Sequence, residues 1–102
     1  MRLMLICGAG MSSRLLANKV NDAIKRRGLD VEAWAIATTE LTQHMGTFDV
    51  VLLAPQVRFH LEDYRKKIGD TPIELIPFQI YGSMNGDKIV DQALEVYNKT
   101  KK

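Results

Sequence analysis

Apolar residues in this chain fall into two patterns: short unbroken runs, and longer stretches in which they recur every three or four positions. Leu3, Met4, Leu5 and Ile6 form the first run, with Arg2 ahead of it, and read as a buried strand. From Ser13 to Arg27, Leu16, Val20, Ala23 and Ile24 recur at helical spacing, while Asn18, Lys19, Asp22, Lys25 and Arg26 take the other side. Gly28 supplies the C-terminal stop. Val31 to Ala37, with Trp34 inside it, reads as a second strand. Thr38 or Thr39 is placed to cap a short helix through His44, with Glu40 in its first turn and Gly46 beyond it. Val50-Val51-Leu52-Leu53 is continuous and apolar, the mark of a strand covered on both faces.

The pattern repeats once more. Ala54-Pro55-Gln56 reads as a loop, Val57 to Ile68 as a helix closed by Gly69-Asp70, and Ile73 to Ile76 as a fourth strand between Pro72 and Pro77. Gly82, Asn85 and Gly86 mark a further loop. Asp87 can cap a final helix to about Lys99, with Ile89, Val90, Ala93, Leu94 and Tyr97 inward. Strands alternating with helices predict an α/β fold: a single three-layer domain over 1–102, with a four-stranded parallel sheet of order 2-1-3-4 and helices on both faces.

In that topology the loops after strands 1, 3 and 4 share one edge of the sheet. Strand order reverses between strands 1 and 3, so a crevice opens beside the loop that begins at Cys7. Gln56 and Arg58 become neighbours of that crevice by topology alone.

Cys7 is the only cysteine, and Gly8-Ala9-Gly10-Met11-Ser12-Ser13 separates it from the first helix. Backbone N–H groups of a Gly-rich turn at a helix N-terminus make a concave nest for anions. The same field favours a thiolate, so Cys7 is expected to titrate below the roughly 8.5 of a free cysteine. Against this stands the commoner role of a lone cysteine as a small buried hydrophobe. The strand stops at Cys7 and the loop starts just after it, which favours a nucleophile that attacks phosphate and then holds it.

Composition narrows the classes. At 102 residues with 46% hydrophobic and 25% charged side chains, the chain suits one soluble globular domain. No apolar run approaches the roughly 18 residues of a membrane span, and the short one after Met1 does not make a signal peptide. One cysteine excludes an internal disulfide and a cysteine-based zinc site, and fits a reducing cytoplasm. His44 and His60 lack metal-ligand spacing and are expected on exposed helix faces. The net charge of +2 owes much to the Lys99-Thr100-Lys101-Lys102 tail, and aromatics do not interleave with Lys or Arg, so nucleic-acid binding is not expected.

Three competing sites fail on their residues, and a fourth is weakened. The near-match to G-x-G-x-x-G has Ser13 in the third place and no acidic residue ending the second strand. A P-loop nucleotidase would need Gly-Lys-Ser/Thr after the loop. A phospho-receiver would need an aspartate ending the third strand, where Leu53-Ala54 stands. A cysteine phosphatase uses C-x5-R, but here the arginine comes one place late, at Arg14, turned by about 100°. No Asp-Pro acid occurs either. Nucleophile and cradle without clamp or acid suit a protein that accepts phosphate and hands it on. A small cysteine-dependent phosphatase and a non-catalytic module binding an anion or phosphoprotein remain the alternatives.

Three segments carry a resemblance over nearly the whole chain: Cys7-x-Ala9-Gly10-Met11-Ser12-Ser13, Pro55-Gln56-Val57-Arg58, and Tyr81-Gly82-Ser83-Met84-Asn85-Gly86. Together they resemble the IIB component of the bacterial sugar phosphotransferase system, in its lactose, cellobiose and chitobiose group. The sequence departs from the family pattern at Gly8, often serine, at Ser13, often threonine, and at Arg14, where a small or neutral residue is usual. The resemblance implies a cytoplasmic phosphocarrier with no cofactor and no metal. Its cysteine takes phosphate from a phosphohistidine on a IIA protein and passes it to a sugar, such as cellobiose or chitobiose, bound in a membrane IIC transporter. Cys7 would be the phosphorylated residue, and Gly8, Ala9, Gly10, Met11, Ser12 and Ser13 its cradle. Arg14, Gln56, Arg58, Tyr81 and Met84 would be site or docking neighbours, with Met11 and Met84 offering adaptable apolar surface to a partner. Direct membrane insertion is not expected, and a monomer is.

Overall fold

Strand β1 (Arg2–Cys7) is buried from Leu3 onward, and β3 (Val50–Leu53) is buried throughout, because each has a strand on both sides and helices above and below. A computed structural model describes the backbone of residues 1–8 and 12–100, and their side chains except those of Ser12, Ser13 and Thr100. With β2 (Glu32–Ala37) and β4 (Ile73–Leu75) the four strands form one parallel sheet of order β2-β1-β3-β4, as the alternation predicts. Cys7 pairs with Ala37, and Ile6 with Leu53, so Cys7 ends the central strand where the order reverses. A membrane-crossing helix is absent among the described residues.

Helices α1 (Ser12–Arg26) and α4 (Gly86–Thr100) pack against each other on one face. Leu16, Val20, Ala23 and Ile24 of α1 are buried as their spacing predicts. Gly28, at φ +65°, lets the chain leave α1 by a paired turn in which Leu29 N–H donates to Ile24 O (3.1 Å) and Gly28 N–H to Lys25 O (3.1 Å). In α4 the buried residues are Ile89, Val90, Ala93 and Val96, with Leu94 and Tyr97 at the margin. The other face carries a 3₁₀ segment (Thr38–His44) and helix α2 (Leu61–Ile68), joined where the Tyr64 hydroxyl donates to Thr38 O (3.0 Å).

Local details differ from the pattern reading. The segment after β2 is 3₁₀, and neither Thr38 nor Thr39 caps it; Ala37 occupies the cap position, and its N–H is satisfied by Glu40 Oε1 (2.8 Å). The predicted helix from Val57 divides into a 3₁₀ segment (Pro55–His60), itself kinked where Val57 leaves helical geometry at φ −115°, ψ 24°, and α2. His44 and His60 are half-buried rather than exposed: His44 lies beside Trp34 (6.3 Å), and His60 stacks on Tyr64 (5.2 Å). The stretch after β4, expected as loop, contains helix α3 (Phe78–Gly82). The cap of α4 is Asn85, whose Oδ1 accepts from Lys88 N–H (3.1 Å). Asp87 instead pairs with Arg26 (2.9 Å) and Arg27 (3.8 Å), tying α4 to α1.

Candidate functional site

Cys7 ends β1 with no accessible surface, on the floor of an edge formed by the segments that follow β1, β3 and β4. Gly8 follows it, and a side chain there would meet Val57 Cγ1 at 3.7 Å, so the 3₁₀ segment after β3 closes against the start of the loop. Ala9, Gly10 and Met11 lie outside the described residues, as do the side chains of Ser12 and Ser13. The helix expected from Ser13 begins one residue earlier, at Ser12.

From the third segment, Tyr81 of α3, itself 9% exposed, comes close enough to Cys7 to act on its sulfur. Two opposing influences act on the sulfur. Burial pushes the thiol up from its ordinary value, and Tyr81 pulls it back part of the way. The expected lowering is therefore reversed: a sulfur placed at the end of a fully buried strand loses its water, and an anion there is costly.

The remaining neighbours divide. Arg58 sits in the same 3₁₀ segment as Val57, but its guanidinium turns back to donate to Pro55 O (3.1 Å). Gln56 and Arg14 are exposed. Met84 is half-buried and ends α3 at φ +51°, a left-handed position that usually falls to glycine. Its N–H donates to Tyr81 O (3.1 Å), and Asn85 N–H to Ile80 O (3.2 Å), which fixes the last turn of α3 around Tyr81. Two residues escaped the sequence reading: Phe59 is 75% exposed and Phe78 is 72% exposed. Both lie on the segments that follow strands β3 and β4, and aromatic side chains so near strand ends were the available signal.

Fold and site together define a small doubly wound α/β protein with a cysteine at the switch point of its sheet. The family model for the lactose/cellobiose-specific IIB subunit of the phosphotransferase system matches residues 2–92. Two proteins of Lactococcus lactis, the galactose-specific EIIB component of subsp. cremoris and the cellobiose-specific EIIB component of subsp. lactis, are each 39% identical over 92% of this chain and 94% of their own length. The solution structure of the cellobiose-specific phosphotransferase IIB component from Borrelia burgdorferi superposes with a TM-score of 0.81 at 37% identity, covering 98% of this chain and 94% of that one. The chain belongs to the lactose/cellobiose-specific IIB family of the sugar phosphotransferase system.

Proposed function

We propose that this chain is the phosphocarrier of a sugar-uptake system: Cys7 accepts a phosphoryl group from a phosphohistidine of a IIA protein and delivers it to a sugar held by a membrane IIC transporter. The observation that carries this reading is the position of Cys7, the only cysteine, at the end of the central strand where sheet order reverses and just ahead of α1. Family membership supports the sugar phosphotransfer role.

The chemistry is an in-line exchange. Sγ attacks phosphorus as the phosphorus–nitrogen bond breaks with its electron pair left on the imidazole, and the proton lost by the thiol is balanced by the one the freed imidazole takes up. In the second half-reaction a sugar hydroxyl attacks, the sulfur–phosphorus bond returns its pair to Sγ, and a base of the transporter takes the hydroxyl proton. The reading assigns phosphate binding to Gly8, Ala9, Gly10, Met11, Ser12 and Ser13, whose N–H groups would meet the equatorial oxygens as charge spreads over them. It places a single domain of residues 1–102, as a monomer, in the cytoplasm. The sugar is a β-linked disaccharide of the cellobiose or chitobiose class, and selection belongs to the transporter: relatives named for galactose and for cellobiose are equally similar to this chain.

The phosphatase alternative loses further support here, since the Arg58 guanidinium is engaged by its own turn and Arg14 is exposed. The test is incubation with phosphoenolpyruvate, the general phosphotransferase proteins and candidate IIA proteins, followed by mapping of the label. Label on Cys7 that moves back to IIA supports the carrier, and label elsewhere refutes it. Rapid hydrolysis of an aryl phosphate by the isolated chain would instead mark a phosphatase.

A further inference from the structure

We propose that the side chains of Asn21 and Glu40 lock the free edge of β2, denying it to the β2 strand of a second copy of this chain. The inference does not depend on the reading of Cys7, and it supplies a physical cause for a monomeric chain.

β2 is an outermost strand, beside β1, and in a parallel pair alternate residues bond to the neighbour. Glu32 N–H donates to Met1 O (3.0 Å), so Glu32, Trp34 and Ile36 bond towards β1, while Ala33, Ala35 and Ala37 turn their N–H and C=O groups outward. Such an edge is a template for another strand. This one is six residues long and carries no charge after Glu32, and its alanines are half-buried rather than covered. An open groove of about 580 Å³, lined in part by Asn21, Ala33 and Trp34, lies beside its start.

Two side chains already occupy outward groups at the ends of this edge. Asn21 of α1 donates from Nδ2 to Ala33 O (3.0 Å), and Ala37 N–H donates to Glu40 Oε1 (2.8 Å). These are the groups that a two-fold pairing needs. In an antiparallel pair centred on Ala35, Ala33 O of one copy accepts from Ala37 N–H of the other, and the same bond repeats across the axis. With both groups bonded within each copy, pairing gains nothing there until those bonds break.

The opposite edge is treated alike. β4 is three residues long, with Pro72 before it and Pro77 beyond. Pro72 O and Leu53 O bond β4 to β3 through Val51 N–H and Ile76 N–H, so by alternation Leu75 O faces away from β3. Gln92 of α4 donates from Nε2 to that carbonyl (2.8 Å). Its own Oε1 is buried without a partner among the described residues, which is a cost. An amide kept at that cost points to a carbonyl that must stay covered.

Asn21→Ala with Glu40→Ala opens both groups on β2. Sedimentation equilibrium over a range of concentrations should show the natural chain as a monomer and the double variant as a monomer–dimer mixture, its association tightened at least on the order of tenfold. Glu40→Gln, which keeps an acceptor oxygen in place, should remain monomeric. In the dimer the Ala35 amide should exchange its hydrogen with solvent more slowly, on the order of tenfold, than in the monomer. A double variant that is less stable yet monomeric overturns the proposal, since the two bonds then only fasten α1 and the 3₁₀ segment to β2. A natural chain that already dimerises, or a variant dimer with unchanged Ala35 exchange, overturns it as well. Should the double variant fold poorly by circular dichroism, Asn21→Ala and Glu40→Ala are measured singly; association in either supports the proposal, and monomers in both overturn it.

Discussion

Gly86 meets Lys19 backbone to backbone: a Cβ built on Gly86 would lie 2.3 Å from Lys19 O and 2.7 Å from its carbonyl carbon. The first turn of α4 therefore rests directly on α1, and neither surface has a flexible side chain that could yield. Gly86→Ala must push the helices apart, at a cost of about 1–3 kcal/mol. Urea unfolding reads this as a lower midpoint. Gly82→Ala is the control, because nothing lies within 4 Å of a side chain there. Equal midpoints for the two variants would refute the close approach.

The start of α4 allows a second comparison. Asn85 caps the helix through Lys88 N–H, whereas Asp87 forms an exposed pair with Arg26. Asn85→Ala should cost about 1 kcal/mol, and Asp87→Asn should change the unfolding midpoint far less, with the difference shrinking in high salt. The reverse order of effects would restore Asp87 as the cap.

Phe59 and Phe78 stand out from the same sheet edge as Cys7, one on the segment after β3 and one on the segment after β4. Phe59→Glu and Phe78→Glu should leave stability within about 0.5 kcal/mol, as befits exposed positions. If these rings seat the phosphohistidine protein, each charge should slow phosphoryl transfer between the two proteins by about tenfold and weaken its dependence on partner concentration. Transfer at the natural rate in both variants would show that docking uses another surface.

Stability should fall at both ends of the pH scale, for different reasons. The Arg2 backbone N–H donates to Asp49 Oδ2 (2.7 Å), and this bond holds the Asp49 carboxyl below its ordinary value. Its contribution is present in full above about pH 4 and is lost as pH falls through the lowered folded value. Cys7 behaves oppositely: burial raises its folded value, so the neutral thiol is tolerated below about pH 8.5 and stability declines as pH rises beyond that. Unfolding midpoints against pH should flatten on the acid side in Asp49→Asn and on the alkaline side in Cys7→Ala. An unchanged acid limb in Asp49→Asn, or an unchanged alkaline limb in Cys7→Ala, would remove the corresponding assignment.

How far the chain could be read follows from the length over which each signal accumulates. Leu3 to Ile6 and Val50 to Leu53 are continuous because both strands are covered on two faces, and the alternation of such runs with helical stretches gave the order of the sheet. The α1 stripe of Leu16, Val20, Ala23 and Ile24 spans enough turns to be unmistakable. Helix α3 has five residues and cannot display a period, so Phe78 to Gly82 read as loop. Asn85 and Asp87 are both good caps by type, and only the folded structure, where Arg26 and Arg27 take Asp87, tells them apart. At the site, Cys7 was legible from the change of pattern at the strand end. The influence of Tyr81 on it was not, since the two residues lie 74 positions apart and Tyr81 sits on a helix the pattern does not reveal.

Cys7 has no accessible surface, and this bears on the protein's fate under oxidative stress. Oxidation to sulfenic acid requires both an exposed sulfur and a ready thiolate, and the resting fold withholds the first while burial opposes the second. A peroxide molecule arriving from solvent finds neither. The residue on which sugar phosphorylation would depend is thus shielded from peroxide in the folded chain.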